Sequence, residues 1–310
     1  MASPLAPETE WVRVRASGKI NLALRVGAVR PNGYHPLATV FQSVSLFDEI
    51  GVRWADPGCF TVKVTGEQAD QVPQDERNLA VKAAQLLADH YGPGRFGAEI
   101  TIRKTIPVAG GMAGGSADAA GALLACSVLW DLDTAPDELR SFGAHLGADV
   151  PFQLMGGTAL GTGRGDELVP VLSRGSYHWV LALSADELST PAVFRRFDAL
   201  NTDAPVDLPM PNDVMNALVG GDAAALGDAL VNDLEPAATA MRPSLTRILE
   251  TGTDLGALGA IVSGAGPTCA FLATNEEAAV DLSVQLSSLG LCRAVRRVTG
   301  PVPGARLITT

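Results

Sequence analysis

Along the chain, apolar and polar positions alternate with a period of two at residues 11–16 and again at 20–26, which predicts two strands. Ser17-Gly18-Lys19 between them predicts a bulge that re-aims the lysine. Strands are further expected at 39–44, 49–54 and 60–65. From Leu79 the apolar spacing becomes helical, with Asn78 placed to cap the helix. Residues 98–103 alternate again, and residues 117–130 are apolar on nearly every face, the pattern of a buried helix. A helix at 137–146 stops at Gly147, and Asp149 stands where a cap for a short helix at 151–155 belongs.

The second half alternates strand and helix signals. Residues 156–161 and 167–172 read as a hairpin, 179–184 as a buried strand, and Ser189-Thr190-Pro191 as a helix start. A proline-rich loop at 205–213 precedes short helices up to residue 252. Strands at 258–262 and 269–273 flank a glycine turn at 263–268; a helix at 276–289 and a strand at 292–298 follow, as in a split β-α-β layer. The change of domain is expected near Gly163-Arg164-Gly165, giving domains 1–164 and 165–310 in an α+β architecture.

The stretch between the strand ending at Arg103 and the buried helix carries the most chemistry. Gly110, Gly111, Gly114 and Gly115 fall within six residues. Glycine permits positive φ and places no Cβ between the backbone amides and a ligand. Such amides at a helix start converge on the positive end of its dipole, which suits a phosphate. A turn that merely packs helix on strand would look similar. Gly110 and Gly115 have Walker A spacing, but Ser116-Ala117 replaces its lysine and hydroxyl pair, and Met112 breaks the dinucleotide fingerprint. A phosphate held here needs a cation from elsewhere.

Composition narrows the options. With 310 residues, 47% hydrophobic and 18% charged, the chain has ample material for a globular core. A net charge of −11 disfavours general binding to nucleic acid or to a membrane surface. The cysteines, at 59, 126, 269 and 292, form no CxxC pair and read as buried thiols in a reducing compartment. Residues 1–10 are acidic and proline-bearing, unlike a signal peptide, so a cytoplasmic location is expected. Of 23 basic residues only Lys19, Lys63, Lys82 and Lys104 are lysines. In an arginine-rich chain, lysine is the compact point charge. Asn21 shares a strand face with Lys19. Pro31-Asn32-Gly33 makes a turn presenting Tyr34 and His35, which taken alone suits a Tyr34 that covers a core edge better than a pair that holds a flat heterocycle. Asp149 reads as a cap or as a buried base.

Taken together, Lys19-Ile20-Asn21, the run from Pro107 to Ala120 and the turn from Ser263 to Thr268 resemble the three motifs of the GHMP small-molecule kinase superfamily. Asn32-Gly33-Tyr34-His35 and Gly147-Ala148-Asp149-Val150-Pro151 resemble its members that act on a cytidine diphosphate-linked methylerythritol. The resemblance spans roughly residues 16–271. It implies a ribosomal S5 domain 2-like N-terminal domain, a ferredoxin-like C-terminal domain and a cleft between them. It implies ATP as phosphoryl donor, Mg²⁺, a sugar-alcohol hydroxyl as acceptor, and a monomer or weak homodimer. By resemblance, Lys19 and Asp149 form the catalytic pair. Pro107, Val108, Ala109, Gly110, Gly111, Met112, Ala113, Gly114, Gly115, Ser116 and Ala117 hold the nucleotide, with Asn78 and Lys104 towards it. Asn21, Tyr34, His35, Phe194 and Thr268 contact the acceptor. Met112-Ala113 and Ala117-Asp118 depart from the frequent Leu-Gly and Ser-Asn of relatives, leaving the metal ligands unassigned.

Overall fold

A computed structural model describes residues 10–185 and 187–308; the acidic stretch 1–9 lies outside the described residues. Two long strands organise the first sheet. β1 (Val12–Val26) pairs antiparallel with β2 (Leu37–Trp54), so each merges two of the short strands expected from the pattern. Their register slips between Ser17 and Gly18 and again between Asn21 and Ala23. The expected bulge is therefore real, and it bends the strand without ending it.

β3 (Phe60–Gly66) and β4 (Ala98–Lys104) are parallel and are joined through α1 (Leu79–Tyr91). Asn78 caps α1 as expected, its Oδ1 accepting from the Ala80 amide at 2.9 Å. α2 (Gly114–Leu129) begins three residues earlier than the apolar pattern suggested, inside the glycine run. Its alanine-rich surface lets it lie between the sheet and α1, where Ala117, Ala120 and Leu123 are fully buried. α3 (Pro136–Leu146) and α4 (Val150–Met155) complete the helical layer.

The hairpin of β5 (Thr158–Thr162) and β6 (Glu167–Pro170) extends the same sheet, with β5 pairing to β2. The turn at 163–166, expected to separate the domains, thus lies within one sheet. The change of sheet comes after Pro170, at β7 (Tyr177–Leu183). α5 (Thr190–Leu200), α6 (Asn212–Gly220) and α7 (Ala223–Ala229) follow. The short β8 (Val231–Asn232) then returns to pair parallel with β1. After α8 (Glu235–Met241) and α9 (Ser244–Asp254) come β9 (Gly259–Val262), β10 (Cys269–Ala273), α10 (Glu276–Ser288) and β11 (Ala294–Gly300). The second sheet runs β11-β7-β10-β9, all antiparallel, the strand order of a ferredoxin-like layer. Finally β12 (Arg306–Leu307) rejoins β1.

The two layers are joined by polar as well as apolar contact. The indole of Trp179, fully buried, donates to Gln42 Oε1 at 3.0 Å, and the Thr299 amide donates to Ser45 Oγ at 2.8 Å. Buried polar groups of this kind are satisfied only when the layers sit in one register. Among the described residues no helix is long and apolar enough to cross a membrane. None of the four cysteines is paired, but only Cys126 and Cys269 are buried as expected; Cys59, just before β3, is exposed and Cys292 half-buried.

Candidate active site

A cleft of about 1210 Å³ opens between the layers. Lining it are Lys19, Asn21, Tyr34, His35, Asn78, Lys104, Asp149 and Phe194, together with the glycine run at 107–111 and 113–116. Most residues singled out from the sequence therefore face one space. Three do not. Met112 and Ala117 are fully buried behind the loop, and Thr268 lines a separate cavity of about 140 Å³ on the loop's far side. Met112 nonetheless ties the loop to the first motif, because its carbonyl accepts from the Lys19 amide at 3.2 Å.

The glycine run enters α2 without a side-chain cap. Among the described residues, the Gly114, Gly115 and Ser116 amides have no protein acceptor, and the first intrahelical bond is Ala117 N–H to the Ala113 carbonyl at 2.9 Å. Three such donors at the start of a 16-residue helix have the geometry that suits an anion. Positive φ is needed at Gly111 (75°), but the other left-handed positions are alanines, Ala109 (51°) and Ala113 (58°). Gly114 is glycine for another reason. A Cβ there would stand 3.1 Å from Ile106 Cγ2 and 3.2 Å from Lys104 Nζ.

Lys104 is not a free cation. Its side chain is buried, and the ammonium donates to Asp48 Oδ2 at 2.5 Å and to Asp118 Oδ2 at 2.7 Å. Asp48 Oδ1 also accepts from the Thr105 and Ile106 amides at 2.5 and 2.9 Å, anchoring the chain as it enters the loop. Burial works against the charge on Lys104, but Asp118 and Asp48 outweigh it and raise its pKa. Burial, aided by Asp48, also lifts Asp118 well above the usual carboxylate range, against the pull of Lys104. Asn78 is similarly occupied, its amide nitrogen donating to the Pro73 carbonyl at 2.7 Å.

Lys19 faces the same cleft, whose lining also includes Arg77, Arg164 and Arg195. The first bulge of β1 places its ammonium 2.6 Å from Asn21 Oδ1, which accepts, and 5.4 Å from the centre of the Phe41 ring. Asn21 in turn donates to Thr39 Oγ1 at 2.8 Å. Burial lowers the Lys19 pKa, and the charge of Asp149 opposes that shift. Asp149 is half-buried and precedes α4 with helical backbone angles and no capping hydrogen bond. Its structural use as a cap is therefore not realised, and its carboxylate is left to the cleft.

At the other end, Tyr34 is 53% exposed and lies under the Arg164 guanidinium, 5.2 Å from the ring centre. The His35 ring stacks on Phe194 with centroids 4.9 Å apart. The third motif closes the back wall. Gly264 sits so close to Lys19 that a Cβ would stand 3.4 Å from its Nζ. Asn232 holds this turn by donating to the carbonyls of Val262 and Gly264 at 2.7 and 2.8 Å. Asp48, Asp118, Arg164, Asn232 and Asp198 were not visible as site residues in the sequence, because each works through a partner distant along the chain.

An anion-binding helix start, a buried lysine and a free carboxylate in one interlayer cleft define a phosphoryl-transfer enzyme. Residues 78–157 match the model for the GHMP kinases N-terminal domain, and residues 214–290 match that for the GHMP kinases C-terminal domain. The chain is 54% identical over 298 residues to 4-diphosphocytidyl-2-C-methyl-D-erythritol kinase of Rhodococcus jostii, covering 96% of this chain and 95% of the relative. It is 51% identical over 315 residues to the enzyme of that name from Mycolicibacterium smegmatis, covering 99% and 97%. A crystal structure of 4-(cytidine 5'-diphospho)-2C-methyl-D-erythritol kinase superposes with a TM-score of 0.76 at 31% identity, covering 93% of this chain and 98% of that one. A homoserine kinase from Cytophaga hutchinsonii reaches the same TM-score at 18% identity, which shows shared fold alone. The chain belongs to the GHMP kinases, and within them to the 4-diphosphocytidyl-2-C-methyl-D-erythritol kinase family.

Proposed function

We propose that this chain transfers the γ-phosphoryl group of ATP to a hydroxyl of 4-diphosphocytidyl-2-C-methyl-D-erythritol, giving the 2-phosphate and ADP in the methylerythritol phosphate route to isoprenoid precursors. One observation carries the reading. A single cleft joins the free amides of Gly114, Gly115 and Ser116 to the Lys19 and Asp149 pair, and that pair to Tyr34, His35 and Phe194.

Phosphoryl transfer demands in-line placement and neutralisation of spreading charge. The loop amides bind the nucleotide's phosphates, and Lys19 faces the transferred group. The acceptor oxygen bonds to the γ-phosphorus as the bond from that phosphorus to the β,γ-bridging oxygen breaks, and ADP departs with that electron pair. Asp149 accepts the acceptor hydroxyl's hydrogen bond and then its proton. Asn21 holds the Lys19 ammonium in place. Tyr34 and Phe194 supply apolar faces for the acceptor's base. Mg²⁺ supplies further charge neutralisation when bound with the nucleotide. The oxygen donors that fit it here are the Ser116 hydroxyl, which lines the cleft, and Asp118, whose buried Oδ1 has no hydrogen-bond partner among the described residues.

The test is a coupled ADP-release assay with cytidyl-methylerythritol, mevalonate, homoserine and galactose as acceptors, run beside a thermal-shift panel of CTP, CDP and CMP with a non-hydrolysable ATP analogue. Turnover with the cytidyl acceptor alone is expected. Turnover with mevalonate or homoserine instead would overturn the substrate.

A further inference from the structure

Three buried hydrogen bonds run in line from Lys19 into the first sheet. The Lys19 nitrogen lies 2.6 Å from Asn21 Oδ1, Asn21 Nδ2 lies 2.8 Å from Thr39 Oγ1, and Thr39 Oγ1 lies 2.7 Å from the Ala23 carbonyl oxygen. All three residues are buried, and Thr39 has no exposed surface. The line crosses the second register slip of β1, between Asn21 and Ala23, where the ladder with β2 is locally broken. Its far end fixes its polarity. A backbone carbonyl only accepts, so the single Thr39 hydroxyl proton goes to Ala23. The Thr39 oxygen is then left with lone pairs for Asn21 and takes a hydrogen from the amide nitrogen. The amide oxygen is thereby turned to Lys19, whatever the charge of that nitrogen.

We propose that Thr39 is a positioning residue that fixes the orientation of the Asn21 amide and thereby keeps an acceptor on the Lys19 ammonium. Its bearing on turnover rests on the proposed function, in which Lys19 faces the transferred group; its bearing on Lys19 does not. An ammonium offers three hydrogens and no lone pair, so it gains from Oδ1 and is repelled by an amide NH₂. Asp149, before α4, supplies the charge that favours the ammonium against burial. The other groups placed around the nitrogen are neutral: Asn21 on β1, the Phe41 ring on β2, and Gly264 in the third-motif turn. Without the Thr39 hydroxyl, Asn21 Nδ2 becomes a buried donor with no acceptor, which is costly. The amide then gains by turning, which withdraws Oδ1 from Lys19 and favours the neutral amine.

The test reads Lys19 directly. The chain has only four lysines, so the Lys19 ¹³Cε resonance is assignable by its loss in Lys19→Arg. Its titration midpoint is compared in wild type, in Thr39→Val, which keeps the volume and removes the hydroxyl, and in Thr39→Ser, which keeps the hydroxyl and removes a methyl. Thr39→Val should lower the midpoint by about one pH unit, the order expected for one hydrogen bond to a charged group. Thr39→Ser should hold the wild-type value, and the alkaline limb of kcat/KM should move with the midpoint. Thr39→Ala repeats the loss of the hydroxyl should the valine variant fail to fold. A midpoint unmoved in the folded valine or alanine variant, or moved as far in Thr39→Ser, is the mark of a packing role and overturns the assignment. A wild type inactive on the cytidyl acceptor overturns the proposed function, while the titration still decides the role of Thr39.

Discussion

Ser263 and Gly111 touch across 152 positions of chain: the Ser263 hydroxyl donates to the Gly111 carbonyl at 3.0 Å, and the Ser263 carbonyl occupies the place a Gly111 Cβ would take. The glycine loop of one layer is thus clasped by the glycine turn of the other. Closure of the cleft's back wall depends on that backbone-to-backbone approach.

Gly111→Ala should consequently open the clasp. The left-handed φ of 75° and the clash with Ser263 together should cost about 2–4 kcal/mol. Calorimetry should show a melting temperature lower by several degrees, and titration on the folded variant a weaker affinity for ATP. An unchanged melting temperature would mean that the loop relaxes freely.

Asp149→Asn should reduce kcat by about 10²–10⁴-fold, the usual worth of a positioned proton acceptor. The fold should be unaffected, since Asp149 makes no capping bond. Equal melting temperatures alongside lost turnover would support the assignment, and near-wild-type turnover would sink it.

Lys104→Met tests the buried triad. Removing the ammonium leaves the Asp48 and Asp118 carboxylates in the core without a counter-charge, at a cost of about 3–5 kcal/mol. The folded pKa of Asp118, already raised by burial, loses the opposing pull of Lys104 and rises further above its unfolded value. The penalty from that group is full above its folded pKa and disappears as pH falls below the unfolded value, near 4. Urea denaturation at pH 5 and pH 8 should therefore show the loss relative to wild type shrinking at the lower pH.

The same logic gives Lys19 a pH signature. Burial lowers its pKa below 10.5 despite Asp149, and the deprotonated amine cannot neutralise a phosphoryl group. The alkaline limb of kcat/KM should fall below pH 10.5, because that quantity reports the free enzyme. Lys19→Arg, permanently charged, should remove the limb from whatever activity survives. A wild-type limb at or above 10.5, with circular dichroism confirming a folded enzyme, would reject the assignment.

By itself the sequence determined what depends on neighbours along the chain. Alternation and helical spacing located most strands and helices, Asn78 its helix, and Ser17-Gly18 the bulge, because dihedral preference and amphipathic period are local properties. The glycine run, Lys19, Asp149 and the Tyr34-His35 turn were legible because their residue types are unusual for their setting. Merging of short strands into β1 and β2, the return of β8 and β12 to the first sheet, and placement of the 163–166 turn inside that sheet were not legible, since strand pairing is decided by partners elsewhere. The same holds for chemistry. Resemblance alone sets Lys104 towards the nucleotide, and only packing brings Asp48, 56 positions away, to bind it. His35 reads as an isolated imidazole at a loop tip until α5 brings Asp198 to within 2.8 Å of its Nε2 from 163 positions away. Charge state and hydrogen-bond direction belong to such pairs, and those pairs exist only once the layers have packed.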